Sequence, residues 1–275
     1  MPGSNEVEAG ITPHLERRYF EPIEIPRPIM MHDFAITQDY VLFFDLPLVF
    51  SFEGVARGGM PYAFEASAGA RIGILRRDAP TAPVRWLEIE PCYFFHPVNA
   101  WNEGTHIRLD VARYPDLWRE RTDRFGTAAL HRFDLDLAKG SVRSEALDDL
   151  GIEFPRIRED RCGLRTRFGY AATTRDDGVV VGTGLVRYDL ETGERERFDG
   201  GGLTMPSEAV FVPASVQAGE GEGWLLAYLH DPGCGPSELA IFDATKLSKG
   251  PIARAKLPQR IPLGFHGSWV DDADL

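Results

Sequence analysis

Three histidines stand out for the residues around them. His32 lies in Ile29-Met30-Met31-His32-Asp33-Phe34-Ala35-Ile36-Thr37, His96 in Cys92-Tyr93-Phe94-Phe95-His96-Pro97-Val98-Asn99-Ala100-Trp101, and His266 in Pro262-Leu263-Gly264-Phe265-His266-Gly267-Ser268-Trp269. Each is flanked by aromatics and by turn or strand residues. Neutral imidazole is the commonest metal ligand among side chains, so three such residues brought to one point would hold a metal ion. Singly, each fits a hydrogen-bonded core histidine better than a ligand. Only a fold that joins distant segments makes them a site, and a closed β architecture is one.

The surrounding pattern predicts such a fold. From Met31 to Phe52 the chain reads as strand, a turn near Thr37-Gln38-Asp39, then the alternating run Tyr40 to Pro47. Gly54 to Gly69 is loop-like. Further strands are expected at Arg71–Arg77, Val84–Ile89, Ala129–Asp136, Gly163–Ala172, Val179–Val186, Gly223–Leu229 and Ser237–Ala244. Thr105–Ala112 alternates with Ile107, Leu109 and Val111 on one face and His106, Arg108 and Asp110 on the other. A helical piece is expected only around Asp116–Arg124. Leu185 to Gly193 has the form of a strand ending in a tight turn, and His131 to Gly140 echoes it. A longer repeat is present as well. His32, His96, Glu153, Glu208 and His266 are separated by 64, 57, 55 and 58 residues, each in a hydrophobic, strand-like setting. That period suits a β-propeller blade of roughly 40 to 50 residues plus a loop, with one residue per blade offered to the axis.

A chain of 275 residues, 43% hydrophobic, can bury a full core. Its net charge of −12 argues against nucleic-acid binding, which needs a clustered basic face. Cys92, Cys162 and Cys234 are odd in number and form no CxxC pair, which predicts a reducing, cytoplasmic setting without disulfides. Residues 1–20 read as a polar lead-in, and no run of about 18 apolar residues suggests a membrane span. Peripheral membrane contact through exposed side chains is compatible with this composition.

At these motifs the chain resembles the carotenoid cleavage oxygenase family, which includes stilbene-cleaving dioxygenases. Met31-His32-Asp33-Phe34-Ala35-Ile36-Thr37 is similar to the family's second histidine motif, Phe95-His96-Pro97-Val98-Asn99-Ala100-Trp101 to its third and Gly264-Phe265-His266-Gly267 to its fourth. Ile152-Glu153-Phe154-Pro155-Arg156-Ile157 and Ser207-Glu208-Ala209-Val210-Phe211-Val212-Pro213 resemble two of the glutamate motifs that orient those histidines. The resemblance runs in order from Met31 to Trp269. It implies an all-β fold, a seven-bladed β-propeller present here as a partial propeller, with residues 1–275 forming one oxygenase domain. The first histidine and first glutamate of the family lie upstream of the His32 motif, where this chain has 31 residues. His14, 18 residues before His32, is less than one blade away and is not taken as that ligand.

The same resemblance implies Fe(II) held by His32, His96 and His266, with Glu153 and Glu208 bonded to the outward ring nitrogens. It implies an oxidoreductase: a dioxygenase that uses O2 to cleave a C=C bond of an apolar carotenoid, apocarotenoid or stilbene to two carbonyl products, with no nicotinamide or flavin. Two other readings stay open at this point. One is a non-catalytic truncated propeller that binds an apolar ligand or a partner chain. The other is zinc, which three imidazoles also suit. His106, His131 and His230 lack motif context and read as surface or packing residues.

Overall fold

The computed structural model describes residues 21–118, 125–175, 182–202, 208–231, 233, 235–262, 264 and 266–270. The polar lead-in, His14, Cys234, Phe265 and most of the expected 116–124 helix lie outside the described residues. Residues 116–118 are not helical.

Strands dominate what is described. In chain order they are β1 (Ala35–Ile36), β2 (Tyr40–Asp45), β3 (Leu48–Phe50), β4 (Tyr62–Phe64), β5 (Ala70–Arg76), β6 (Arg85–Ile89), β7 (Pro97–Glu103), β8 (His106–Arg113) and β9 (Ala129–Asp136). Then follow β10 (Ser141–Ala146), β11 (Ile152–Arg156), β12 (Phe168–Thr173), β13 (Gly184–Asp189), β14 (Arg195–Phe198), β15 (Val210–Pro213), β16 (Gly223–Leu229), β17 (Glu238–Asp243) and β18 (Pro251–Lys256). They pair as four four-stranded antiparallel sheets, β1-β2-β5-β6, β7 to β10, β11 to β14 and β15 to β18, with β3-β4 as a separate hairpin. Consecutive four-stranded meanders are the blades of a propeller, so the chain is a partial propeller.

Each blade runs from a buried first strand to an exposed fourth. β11 is buried along four of its five residues, whereas β10 and β18 are largely exposed. Those outer strands carry Arg143 and Glu145, or Arg254 and Lys256, which keeps an open sheet edge from pairing with another chain. The three later blades turn into their fourth strand in one way. The backbone N–H groups of Ala138 and Lys139 donate to Asp136 Oδ1, those of Glu191 and Thr192 to Asp189 Oδ1, and that of Thr245 to Asp243 Oδ1. Gly140 and Gly193 close two of these turns at φ +71° and +76°, where a side chain would be strained. The echo seen between His131–Gly140 and Leu185–Gly193 is therefore one turn used again, with a third copy at Asp243.

Two expectations need correction. A short helix, α1 (Phe52–Ala56), replaces the strand end and loop expected there; Ser51 Oγ accepts from the Gly54 N–H at 3.1 Å and caps it. Of the strand expected at Val179–Val186, residues 179–181 lie outside the described residues, and the described strand runs later, over Gly184–Asp189. Asp110 shares its face of β8 with His106 and Arg108, as the alternation predicts, and is fully buried there, paired with Arg132 at 2.7 Å.

Candidate metal centre

Four of the five residues of interest sit where a blade begins, and the fifth, His266, lies beyond the last strand. His32 precedes β1 by three residues, His96 immediately precedes β7, Glu153 is the second residue of β11, Glu208 precedes β15 by two, and His266 follows β18. The structure brings all five together. One ring nitrogen from each of His32, His96 and His266 lies within 4.8 Å of the other two, a group found among the described residues without any local HxxxH spacing. Ring centroids are 5.1 Å apart for His32 and His96 and 5.0 Å for His96 and His266.

His96 is held most firmly. The Ala112 N–H donates to its carbonyl at 3.2 Å, and an antiparallel bridge between Tyr93 and Tyr114 clamps the backbone on either side. Nδ1 meets Glu153 Oε2 at 2.6 Å. A carboxylate oxygen accepts, so this contact is made by Nδ1–H and leaves Nε2 as the bare nitrogen of a neutral ring. Glu153 is almost fully buried and also accepts from the Phe154 N–H at 2.7 Å and the Tyr114 hydroxyl at 2.9 Å. Burial first, then Glu153, pushes the Tyr114 hydroxyl well above its ordinary value, so it stays a donor.

The turn of Glu153 toward His96 strains the backbone. Phe154 is buried in the left-handed region at φ +54°, where a bulge breaks the β11-β12 register. Its ring is thereby set against both His96 and His266, with centroids at 5.5 and 6.2 Å.

His266 Nδ1 lies 3.2 Å from Glu208 Oε2, and Glu208 Oε1 accepts from the Gly267 N–H at 2.8 Å. Arg156 reaches the same carboxylate at 3.3 Å, supplying the counter-charge that a buried glutamate needs. His32 contacts no carboxylate through a hydrogen bond among the described residues; its ring stands edge-on to Phe95 at 5.3 Å. Partial burial, then the imidazoles of His96 and His266, hold His32 below the usual histidine value, so it is neutral near pH 7.

These donors fit a metal ion. His96 Nε2 is buried and has no hydrogen-bond partner, a state that ordinarily costs about 1–3 kcal/mol. Its lone pair faces the other two imidazoles, and a cation there would satisfy it. Three neutral nitrogens suit iron, zinc or cobalt rather than magnesium or calcium.

Two cavities meet at the histidines. One, of about 320 Å³, is almost wholly apolar and is lined by Met30, Met60, Phe95, Trp118, Phe125 and Phe154 beside the three imidazoles. The other, of about 370 Å³, is mixed and includes Asp33, Arg156, Glu159 and Cys162 with His96 and His266. Phe95, beside His96 in the sequence, faces the apolar cavity, whereas Phe44 and Phe94 pack on each other in the core. Trp118, Phe125, Met30, Met60 and Tyr114 could not be picked out, because their spacing says nothing of which way they face.

The remaining histidines lie elsewhere. His106 pairs with Asp134 at 2.6 Å, and His131 contacts Ser144 Oγ. His230 is not a surface residue: it is buried, 2.7 Å from Ser237 Oγ, and burial lowers its pKa. No helix among the described residues is long and apolar enough to cross a membrane.

Comparison with known proteins identifies the family and the fold. The profile of the retinal pigment epithelial membrane protein family matches residues 6–271. The chain is 34% identical to a carotenoid 9,10(9',10')-cleavage dioxygenase of Crocus sativus, over 92% of this chain and 50% of that one. It superimposes on cobalt-substituted apocarotenoid oxygenase of Synechocystis with a TM-score of 0.79 at 27% identity, covering 88% of this chain and 53% of that one. For the lignostilbene dioxygenase of Pseudomonas brassicacearum the TM-score is 0.81 at 25% identity, over 90% and 56%. The chain spans about half the length of the curated relatives it matches.

Proposed function

Because the chain belongs to the retinal pigment epithelial membrane protein family, the carotenoid cleavage oxygenases, we propose that His32, His96 and His266 hold a non-haem Fe(II) ion in a dioxygenase site. The reaction is cleavage of one C=C bond of a carotenoid, apocarotenoid or stilbene-type substrate, with one atom of O2 delivered to each of the two carbonyl products. The observation that carries this reading is the convergence of three imidazoles at the end of an apolar cavity.

Bound iron supplies the O2 binding and activation that no side chain here can perform. The chain's own residues do the rest. Glu153 and Glu208 keep the protons of His96 and His266 on Nδ1 and so turn Nε2 toward the site. Met30, Met60, Phe95, Trp118, Phe125 and Phe154 take up an apolar chain and exclude water from the side on which its double bond would lie. Next to Met60, helix α1 exposes Phe52 and Val55, an apolar edge suited to resting on a membrane from which such a substrate would enter.

The test is product analysis. The Fe(II)-loaded chain, incubated in air with apocarotenoids and with hydroxystilbenes, should yield paired carbonyl products by mass spectrometry, and His96→Ala should not. Absence of histidine-dependent products from the Fe(II)-loaded chain would count against the proposal.

A further inference from the structure

A buried carboxylate can orient a histidine only if its own rotation is fixed. Glu153 Oε2 accepts from both His96 and the Phe154 N–H, so one oxygen is committed to the site. The other, Oε1, has one donor among the described residues, the Tyr114 hydroxyl at 2.9 Å. Tyr114 is about 1% exposed and lies in the core between Phe95 and Glu153, its ring edge-on to Phe95 at 5.8 Å. Its backbone is pinned as well: its N–H donates to Tyr93 O at 2.7 Å, and its carbonyl accepts from the Tyr93 N–H at 3.0 Å. The same residue therefore braces the strand that presents His96 and the carboxylate that turns His96.

Resting on the metal-centre reading above, we infer that Tyr114 is a positioning residue for that centre, fixing the Glu153 carboxylate and through it the Nδ1–H tautomer of His96. Without the hydroxyl, Oε1 is a buried acceptor with no donor, and Glu153 gains by rotating away from His96 to find one. His96 then loses the acceptor that selects its tautomer, and the Nε2 lone pair is no longer held in place. Tyr93 provides a matched comparison. Its hydroxyl donates to Met30 O at 3.0 Å, is equally buried, and does not touch Glu153.

Tyr114→Phe and Tyr93→Phe separate a specific role from the general loss of a buried hydroxyl. The first readout is independent of any metal: nitrogen NMR of the chain labelled at histidine reports which ring nitrogen of His96 carries the proton. The parent and Tyr93→Phe should show His96 as Nδ1–H, and Tyr114→Phe should show a mixture with Nε2–H. The second readout is Co(II) affinity with its visible absorption bands, which should fall about 3- to 30-fold in Tyr114→Phe with altered bands; direct partners of metal-bound histidines are worth about 10- to 100-fold, and Tyr114 is one bond further out. An unchanged His96 tautomer in Tyr114→Phe would overturn the inference, as would equal changes in both variants. If the parent shows no histidine-dependent Co(II) binding, the metal reading fails, while the tautomer measurement still decides the role of Tyr114.

Discussion

Glu153→Gln should weaken metal binding while leaving the metal-free protein folded. The parent carboxylate accepts three hydrogen bonds, from His96 Nδ1, the Phe154 N–H and the Tyr114 hydroxyl. A glutamine of the same shape can place its amide oxygen where Oε2 lies, keeping the first two, and turn its NH2 to the Tyr114 oxygen, which can accept instead. What changes is charge. A hydrogen bond to an ionised group is worth about twice a neutral one, so His96 loses roughly 1.5 kcal/mol of support for its electron-donating form, or about tenfold in metal affinity. The apo protein sheds a buried carboxylate and strands one donor, the Tyr114 O–H, so its unfolding free energy should stay within about 2 kcal/mol of the parent. Glu153→Ala should behave differently, stranding three donors and costing at least about 3 kcal/mol. Anaerobic Fe(II) titration and urea unfolding of the three proteins supply both numbers. Parent-like Fe(II) affinity in Glu153→Gln would refute the claim that this carboxylate tunes His96.

Two further outcomes follow from the structure. Burial, then Arg113, lowers the His131 pKa to about 4. The unfolded chain, with an ordinary histidine, therefore binds more protons between about pH 6.5 and 4, and stability is present above that window and lost as pH falls through it. Urea midpoints at pH 7.5 and 5 should drop less for His131→Gln than for the parent; an equal drop would assign the acid sensitivity elsewhere. Vesicle flotation tests the exposed edge of α1: Phe52→Glu with Val55→Glu should remove the protein from phosphatidylcholine vesicles without changing its circular dichroism, and unchanged flotation would place membrane contact on another surface.

Much of the centre was legible because its residues flank strands, where motif residues are contiguous in sequence. His32, His96, Glu153, Glu208 and His266 each stand at or near the boundary of a blade, so their spacing carried the blade period as well as the chemistry. Alternation was equally informative where one face is buried: Ile107, Leu109 and Val111 are all fully inaccessible. It assigned the faces but not the burial of the second one, where Asp110 is also fully buried. The outer strand β6 was read from Val84–Ile89, but β10, β14 and β18 were missed because their residues, such as Arg195-Glu196-Arg197 in β14, have no apolar pattern. Their strand form comes from hydrogen bonds to the neighbouring β13. α1 carried a readable signal in Ser51-Phe52-Glu53, a cap followed by an acidic first turn, which Gly54 obscured. Tyr114 and the methionines of the apolar cavity could not be read, since the direction of a buried side chain is fixed by packing between blades.

The central claim is that three histidines from separate blades form one metal site, and iron content tests it most directly. After anaerobic reconstitution with Fe(II) and removal of free metal, the parent chain should hold close to one iron, and His32→Ala, His96→Ala and His266→Ala should each lose most of it while keeping the parent's circular dichroism. Iron that is absent from the parent, or retained in all three variants, would contradict the account.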